Sequence, residues 1–252
     1  SKETLIEKRK EYIEQGLPDV YSQEYLNVPL DQSHGYFRRG DFIPMSDTER
    51  QDIKEKRKLL NYYVAGDFAI SSKQRADFSC FVVVGIDSEG VLFVVDVIKG
   101  RMDAREIVET VFFLQNKYKP VLFALEDEQI SKAIGPFLNE AMFKLQVFPI
   151  IEKFRPSADK ETRAKSIQGR MRIGGVKFDT TKDWFFDFES ELLNFPKDKH
   201  DDQVDAFAYV GLALDKFFAA ATIEEQEEED FLEEMYLTTE GFNLGRSSLT
   251  GY

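Results

Sequence analysis

The amino-acid sequence predicts an α/β fold: a mixed sheet of three antiparallel strands followed by parallel strands, flanked by helices. Three apolar, β-type runs follow one another at residues 62–70, 78–86 and 91–98. Residues 87–90, Asp-Ser-Glu-Gly, have the composition of a hairpin turn between the last two runs. After residue 103, helical patterns alternate with short strand patterns, which is typical of parallel strands joined by crossover helices.

The chain ahead of the first β run predicts two helices separated by a connector. Residues 3–15 are polar and helix-forming, with few aliphatic positions for packing. Residues 19–44 are mixed in character and contain prolines, so we interpret them as an ordered connector. Ser46 and Glu49 have the spacing of a capping box, which predicts the start of a charged helix that extends to Leu60.

A second capping-box pattern, Asp103 with Glu106, predicts the start of the helix that follows the three β runs. Apolar residues recur behind it at helical spacing, and Pro120 marks the transition to the next strand. The remaining predicted elements are a strand over 121–125, a helix over about 131–143, a short strand over 146–150, a helix over about 182–194 and a final helix over 202–218.

These patterns divide the chain into a helix over 1–18, a connector and lead-in helix over 19–61, an α/β domain over 62–218 and an acidic tail over 219–252. The tail is expected to be flexible, because a run of acidic residues buries too little apolar surface to fold. The alternative is a peptide that docks on a partner through Phe231, Leu232, Met235 and Tyr236. The chain begins without an initiator Met, so we expect it to be a fragment of a longer protein.

Composition excludes several classes of protein. A length of 252 residues with 42% hydrophobic residues is enough for a substantial core, so a globular protein is expected. No signal peptide or membrane-length apolar stretch is visible, and no membrane partner is expected. Cys80 is the only cysteine, which excludes an internal disulfide framework and a cysteine-based zinc site, and favours a reducing cytosol. The absence of a G-x-x-x-x-G-K-[ST] loop excludes a self-contained ATPase.

Charge is distributed unevenly along the chain. The formal net charge is −13, but eight acidic and no basic residues lie between Glu224 and Glu234, so the remainder carries −5. The segment from Lys153 to Lys177 is basic, and its glycines suit a loop and hairpin lying along a phosphate backbone. The candidate DNA-binding residues are Lys153, Arg155, Lys160, Arg163, Lys165, Arg170 and Arg172. No base-reading motif accompanies them, so sequence-independent contact is expected, and an ordinary solvated face is the alternative.

Acidic residues occupy three unusual places in the apolar pattern. Asp67 lies within the first β run, where an unpaired carboxylate would be costly to bury. Glu126 ends the run 121–125, and Asp201 and Asp202 open the final helix. Because the first strand and the strand after the first crossover commonly lie side by side, these acids can meet at one edge of the sheet. Hard oxygen ligands of this kind suit Mg²⁺ or Mn²⁺.

Each acidic position also has an interpretation without chemistry. Asp67 could be a core residue hydrogen-bonded to backbone, and the acids at 126–128 could favour a helix start. The acids that follow His200 could cap and open the last helix, although three acids and a histidine in six residues exceed what a cap requires. Asp202 and Asp205 share one face of that helix, so Asp205 could bind metal or support Asp202.

Five segments carry a family resemblance. They are Tyr21-Ser22-Gln23-Glu24-Tyr25, Gly66-Asp67, Leu125-Glu126-Asp127, the basic stretch Arg163 to Gly175, and Phe195-Pro196 followed by His200-Asp201-Asp202-Gln203-Val204-Asp205-Ala206. Through these segments the chain resembles the C-terminal nuclease domain of the large terminase subunit of tailed bacteriophages, which has an RNase H-like fold. The resemblance covers about residues 20–218, and its last segment is the most specific.

The resemblance implies an endonuclease that cuts concatemeric double-stranded viral DNA during genome packaging. It implies two Mg²⁺ or Mn²⁺ ions bound by the catalytic residues Asp67, Glu126 and Asp202, with Asp201 and Asp205 as possible further ligands. It also implies an upstream ATPase domain, of which residues 1–18 would be a residual linker helix. The portal and the small terminase subunit are expected partners. The expected location is the host cell cytoplasm, and presence in the mature virion is not expected.

The mechanism expected from this resemblance uses both ions. One, held by Asp67 and Asp202, would lower the pKa of a bound water, and a second, held by Asp67 and Glu126, would stabilise the leaving 3′ oxygen. His200 is an auxiliary candidate for proton or charge handling. Two alternatives remain: another RNase H-like nuclease, such as a junction resolvase or an RNA-strand nuclease, and a non-catalytic DNA-binding or portal-docking module.

Overall fold

The computed structural model describes residues 8, 35–69, 78–127, 134–155, 159–197 and 201–217. The chain divides into two compact units, Ser1–Ala213 and Leu214–Tyr252, and the contacts below belong to the first. Several predictions lie outside the described residues: the helix over 3–15, most of the connector, Glu128, His200 and the acidic tail.

Within the described ranges, seven strands and six α-helices follow the order that the sequence patterns predict, with two added strands, β1 and β7, at one end of the sheet and one added helix, α4. The strands are β1 (Ile43–Pro44), β2 (Asn61–Asp67), β3 (Ser79–Ile86), β4 (Leu92–Gly100), β5 (Leu122–Glu126), β6 (Ile151–Phe154) and β7 (Val176–Phe178). The helices are α1 (Asp47–Lys54), α2 (Ala104–Tyr118), α3 (Gly135–Leu145), α4 (Lys160–Arg172), α5 (Phe185–Asn194) and α6 (Asp202–Phe217). In the described part of the chain, every helix is too short or too polar to cross a membrane.

The strands form one mixed sheet in the order β1-β7-β4-β3-β2-β5-β6. β2, β3 and β4 are antiparallel neighbours, β5 and β6 continue in parallel beside β2, and β7 and β1 continue in parallel beside β4. The predicted class, three antiparallel strands followed by parallel ones, is confirmed. This topology places β2 and β5 side by side, as the sequence argument requires.

Helices cover the two faces of the sheet. On one face α2 and α3 bury Ile107, Val111 and Leu138 against alternate residues of the central strands, including Val64 and Phe81. On the other face α5 and α6 pack on the sheet. Here Phe178 of β7 lies 6.1 Å from Phe188 of α5 and 6.3 Å from Phe207 of α6, measured between ring centroids. All eight residues of β3 are buried, because the strand lies at the middle of the covered sheet.

Both predicted capping boxes are present. Ser46 and Glu49 cap α1, and Asp103 and Glu106 cap α2, each through reciprocal side-chain to backbone bonds. The predicted extension of the first of these helices to Leu60 is wrong: α1 ends at Lys54, and Lys56 adopts a positive φ of 58°. A left-handed residue cannot continue an α-helix, so the chain turns there.

Two predictions between residues 146 and 177 are also wrong. The short strand expected over 146–150 is β6, which begins five residues later at Ile151. The expected loop and hairpin of the basic segment is instead β6, the thirteen-residue helix α4 and β7. Asp159 caps α4 by accepting from the Thr162 backbone N–H. The buried face of α4 is one narrow stripe, formed by Ala164, Ile167 and Met171. One apolar residue per turn is a weak helical signal among so many charges, which explains why the sequence did not indicate a helix.

The described part of the predicted connector contributes to the sheet and to its core. β1 pairs with β7 in parallel, with Ile43 opposite Lys177. Phe37 and Phe42 are buried, and the Phe42 ring lies 5.2 Å from that of Phe178. Residues 35–45 therefore close one edge of the sheet.

Candidate active site

One row of residues crosses the sheet where β2 and β5 end. Cys80 of β3 is the register partner of Lys99 on one side and of Asp67 on the other. Asp67 and Glu126 each come one residue after the last parallel pair, Gly66 with Leu125. Register partners project from the same face of a sheet. The row therefore brings Lys99, Cys80, Asp67 and Glu126 onto one surface, which is the face covered by α5 and α6.

Helix α6 lies over this row and contacts it at two points. Asp202, Asp205 and Tyr209 are spaced three and four residues apart, so they share one face of the helix. The Tyr209 hydroxyl donates to Glu126 Oε2 at 3.2 Å. Burial raises the pKa of Tyr209 well above its ordinary value, and the negative charges of Glu126 and Asp67 raise it further. Tyr209 therefore stays protonated beside both carboxylates.

Cys80 lies beside the other end of α6. Burial raises the pKa of the Cys80 thiol, and the carboxylates of Glu191, Asp67 and Asp202 raise it further, whereas Lys99 lowers it. Asp67 of β2 and Asp202 of α6 are thus both near enough to raise the pKa of the Cys80 thiol. Asp67 and Glu126 likewise both raise the pKa of Tyr209, whose hydroxyl donates to Glu126.

Lys99 is shared by two carboxylates of this region. Its Nζ donates to Glu191 Oε2 at 2.5 Å and lies 3.9 Å from Asp202 Oδ2. Glu191, on α5, is buried and accepts two further bonds from Gln203, one from the backbone N–H at 2.6 Å and one from the side-chain amide at 2.5 Å. Glu191 therefore connects the start of α6 to both α5 and β4.

The two other predicted acids of α6 pair with α4. Lys160 Nζ lies 2.5 Å from Asp201 Oδ2 and 3.1 Å from Asp205 Oδ2, and Arg163 Nη2 lies 2.6 Å from Asp205 Oδ1. The Arg163 side chain is only 11% exposed, so this pair is largely shielded from water. Asp201 and Asp205 are thus neutralised by cations of the same chain, whereas Asp202 lies toward the sheet row.

The donor chemistry of these residues fits a divalent cation. Asp67, Glu126 and Asp202 offer hard carboxylate oxygens on three elements that meet over one face of the sheet. As the side chains stand, no three His, Cys, Asp or Glu residues in the described ranges are grouped tightly enough to hold a metal ion. A metal ion held by all three acids would require their side chains to move closer together.

The predicted DNA-binding residues fall into four groups. Lys153 and Arg155 lie 3.6 and 3.0 Å from the Asp127 carboxylate at the end of β5, and the Arg155 side chain is 85% exposed. Lys160 and Arg163 pair with α6, as above. Arg172 pairs with Asp41 at 3.3 Å and donates to the carbonyl oxygens of residues 35 and 36. Lys165 is exposed and Arg170 half-buried on α4.

Three residues of this region escaped sequence reasoning. Tyr209 could have been found from its position four residues after Asp205 on one helical face. Glu191 carried a weak signal, since it is a carboxylate at an apolar position of an amphipathic helix. Lys99 carried none, because its place beside Cys80 depends on strand register.

The sequence was compared with known families and structures. Residues 64–214 match a family model described as the terminase RNaseH-like domain. This match and the mixed sheet confirm the RNase H-like fold expected from the resemblance. No curated protein sequence matches the chain.

Several solved structures of low sequence identity are also similar. The large terminase nuclease from thermophilic phage G20c with bound cobalt is 17% identical over 61% of this chain and 81% of that one, with a TM-score of 0.46. The human cytomegalovirus terminase nuclease domain is 11% identical over 68% and 94%, with a TM-score of 0.44. The large terminase of another thermophilic bacteriophage is 14% identical over 61% of this chain, with a TM-score of 0.45, and this chain spans only 40% of its length.

Proposed function

We propose a function from the premise that this chain belongs to the family of terminase RNaseH-like domains. It is the nuclease domain of a viral large terminase subunit, and it cuts double-stranded DNA during genome packaging. One observation carries the proposal beyond family membership: Asp67 and Glu126 each follow the last parallel pair of β2 and β5, and α6 brings Asp202 to within 3.9 Å of Lys99, in the same row as Cys80 and Asp67. Acids that converge from β2, β5 and α6 are the donor set that phosphodiester hydrolysis requires.

In this proposal the carboxylates of Asp67, Glu126 and Asp202 hold two Mg²⁺ or Mn²⁺ ions. When bound, such ions supply an activated water and stabilise charge on the leaving oxygen. Asp67 is the shared member, because it neighbours both other acids. Tyr209 orients Glu126 through its hydroxyl, and Arg163 and Lys160 neutralise Asp205 and Asp201, so repulsion between neighbouring acids of α6 is reduced.

The substrate and partners follow from the same premise. Double-stranded DNA would be bound through its phosphates without sequence preference, and the exposed members of the predicted set are Lys153, Arg155, Lys160 and Lys165. An upstream ATPase domain of the same full-length chain, the portal and the small terminase subunit are the proposed partners. The proposed place of action is the host cell cytoplasm.

Replacing Asp67 with Asn tests the assignment. The amide is nearly isosteric but carries no charge, so Asp67→Asn should abolish cleavage of duplex DNA in Mg²⁺ or Mn²⁺ while the protein stays folded. Cleavage is measured on linear duplex by gel electrophoresis, and folding by circular dichroism and thermal unfolding.

Asp96→Asn is the matched control. Asp96 also lies on a central strand, but it accepts from Lys117 and Tyr118 of α2, on the opposite face of the sheet, so this variant should cut normally. An Asp67→Asn protein that cuts as fast as the unmodified chain would contradict the proposal. The same assay with a four-way junction and an RNA–DNA hybrid decides the nucleic-acid class, since a preference for either over duplex would point to a different RNase H-like nuclease.

A further inference from the structure

The Lys99 ammonium lies between two carboxylates of this site. It is 2.5 Å from one of them, Glu191, and 3.9 Å from the other, Asp202. The Asp202 side chain is only 14% exposed, so charges in this region are weakly screened by water. The contact with Asp202 is a long ion pair, and a short movement of the flexible lysine side chain would shorten it to a hydrogen-bonded one.

Such an ion pair would oppose metal binding. A carboxylate that is neutralised by a lysine ammonium attracts a divalent cation less, and the ammonium would repel that cation. Whether Asp202 is available to a metal therefore depends on where the Lys99 ammonium is held.

Glu191 holds it on the side away from Asp202. The Glu191 carboxylate is fixed by two bonds from Gln203, the residue next to Asp202, and by its place on α5. These contacts fix the position of the Glu191 carboxylate, which is the anionic partner of Lys99. Both charges are largely buried, and each would be costly to leave without the other.

We propose that Glu191 is a positioning residue: it keeps the Lys99 ammonium off Asp202, so that the Asp202 carboxylate remains available to a divalent cation. The inference rests on the proposed function, because it takes Asp202 to be a metal ligand. It adds a role for a residue that does not itself bind the metal.

The variant Glu191→Gln removes the charge that holds Lys99. Its amide oxygen can still accept from the Gln203 backbone N–H, but an NH₂ group in place of Oε2 can accept neither from Lys99 nor from the Gln203 side-chain amide. The ammonium should then pair with Asp202. We expect Glu191→Gln to bind Mn²⁺ about tenfold more weakly, as is common when the support of a metal ligand is lost. The measurement is a Mn²⁺ titration followed by isothermal calorimetry and by the electron paramagnetic resonance signal of free Mn²⁺, with no DNA present.

Removing the lysine should reverse this defect. Lys99→Met keeps a similar side-chain length without charge, so Lys99→Met combined with Glu191→Gln should recover Mn²⁺ affinity to within about twofold of the unmodified protein. Lys99→Met alone should not weaken Mn²⁺ binding. A double variant that binds Mn²⁺ as poorly as Glu191→Gln would overturn the proposal, and so would a Lys99→Met protein that binds it tenfold more weakly.

Glu189→Gln is the matched control, since Glu189 lies on the same helix and is equally buried. It should leave Mn²⁺ affinity unchanged, and its thermal unfolding midpoint reports the general cost of this substitution in α5. Equal weakening of Mn²⁺ binding in both variants would show a structural effect only and would overturn the proposal.

Asp202→Asn distinguishes failure of this inference from failure of the proposed function. If Asp202→Asn binds Mn²⁺ as well as the unmodified chain, Asp202 is no ligand and the proposed function loses that residue. If Asp202→Asn loses Mn²⁺ binding while Glu191→Gln retains it, only the role of Glu191 is wrong.

Discussion

At the scale of single residues, Tyr209 contributes to the position of the Glu126 carboxylate. Glu126 has a long side chain at the end of a strand, and the hydroxyl of Tyr209 donates to one of its oxygens. The ring of Tyr209 is held in turn between Phe154, at 6.1 Å between centroids, and the Arg163 guanidinium, at 5.8 Å. A buried ring with fixed neighbours positions its hydroxyl without a large entropic cost on binding.

Tyr209→Phe removes this hydroxyl and leaves the ring. We expect cleavage at limiting Mn²⁺ to fall roughly tenfold or more, because Glu126 loses its orientation, while the free energy of unfolding falls by only about 1 kcal/mol. Both are measured on the same preparation, by initial cleavage rate and by urea denaturation.

Tyr63→Phe serves as the control for Tyr209→Phe. Tyr63 is also buried, but it lies four residues before Asp67, toward the start of β2, where it pairs with Leu122. Its cleavage rate should match that of the unmodified protein. A Tyr209→Phe protein with an unchanged rate at every Mn²⁺ concentration would exclude a role for the hydroxyl in positioning Glu126.

At the scale of elements, the side chains packed over β2 and β5 leave no room for a Cβ at Gly66, next to Asp67. A Cβ built on Gly66 would lie 2.7 Å from the Phe68 ring and 2.9 Å from Leu125 Cδ2. Both neighbours are fully packed in the core, so neither can move aside at low cost. Only glycine lets the Phe68 ring and Leu125 pack this closely over β2.

Gly66→Ala should therefore destabilise the protein by roughly 1–3 kcal/mol, as overpacking does in a filled core. The strand end that carries Asp67 should be displaced with it, so cleavage should fall as well. Urea denaturation and the cleavage assay measure the two effects.

Gly100→Ala is the corresponding control, because a Cβ there meets nothing closer than Met102 Cε at 3.4 Å. This variant should change the free energy of unfolding by less than about 1 kcal/mol. Equal free energies of unfolding for Gly66→Ala and Gly100→Ala would show that the core accommodates a Cβ at residue 66, contrary to the prediction.

At the scale of the whole molecule, the fold places a thiol and two tyrosine hydroxyls in buried positions near carboxylates, and it thereby keeps these three groups protonated. Burial raises the pKa values of the Cys80 thiol, the Tyr118 hydroxyl and the Tyr209 hydroxyl, and nearby Glu191, Asp96 and Glu126 respectively raise them further. In the unfolded chain these groups lose their protons near the ordinary values of 9.0 for Cys and 10.0 for Tyr.

Stability should therefore fall at alkaline pH. Above about pH 9 the unfolded chain binds fewer protons than the folded one, so the free energy of unfolding decreases as the pH rises. The stabilising contribution is complete below that pH and is lost progressively above it. Urea denaturation at a series of pH values between about 8 and 10.5 measures the decline.

Tyr118→Phe provides a check on the cause of this decline. The variant loses the bond to Asp96 and is less stable at neutral pH, but its stability should decline less steeply between about pH 9 and 10.5, since one of these groups is gone. A stability that is flat across this range in the unmodified protein would contradict the prediction.

The sequence by itself determined the features that depend on near neighbours. Capping boxes at Ser46 and Asp103 and the apolar runs of β2, β3 and β5 rest on contacts between residues a few positions apart, so local pattern predicts them. It also indicated that Asp67 and Glu126 end adjacent strands. The narrow apolar stripe of α4 and the half-exposed edge strand β6 were missed, because their local patterns are weak.

Only the tertiary structure decided which side chains meet. Lys99 joins Cys80 and Asp67 through strand register, Glu191 reaches Lys99 across 92 residues of sequence, and Arg163 turns toward Asp205 across 42. A one-residue slip in register would send each strand residue to the opposite face, and the turn at 87–90 does not indicate the shift in pairing that β3 and β4 make between Val83 and Val84. The physical reason is that ion pairs and cross-sheet rows depend on how distant elements pack, whereas helices and strands depend mainly on the residues beside them.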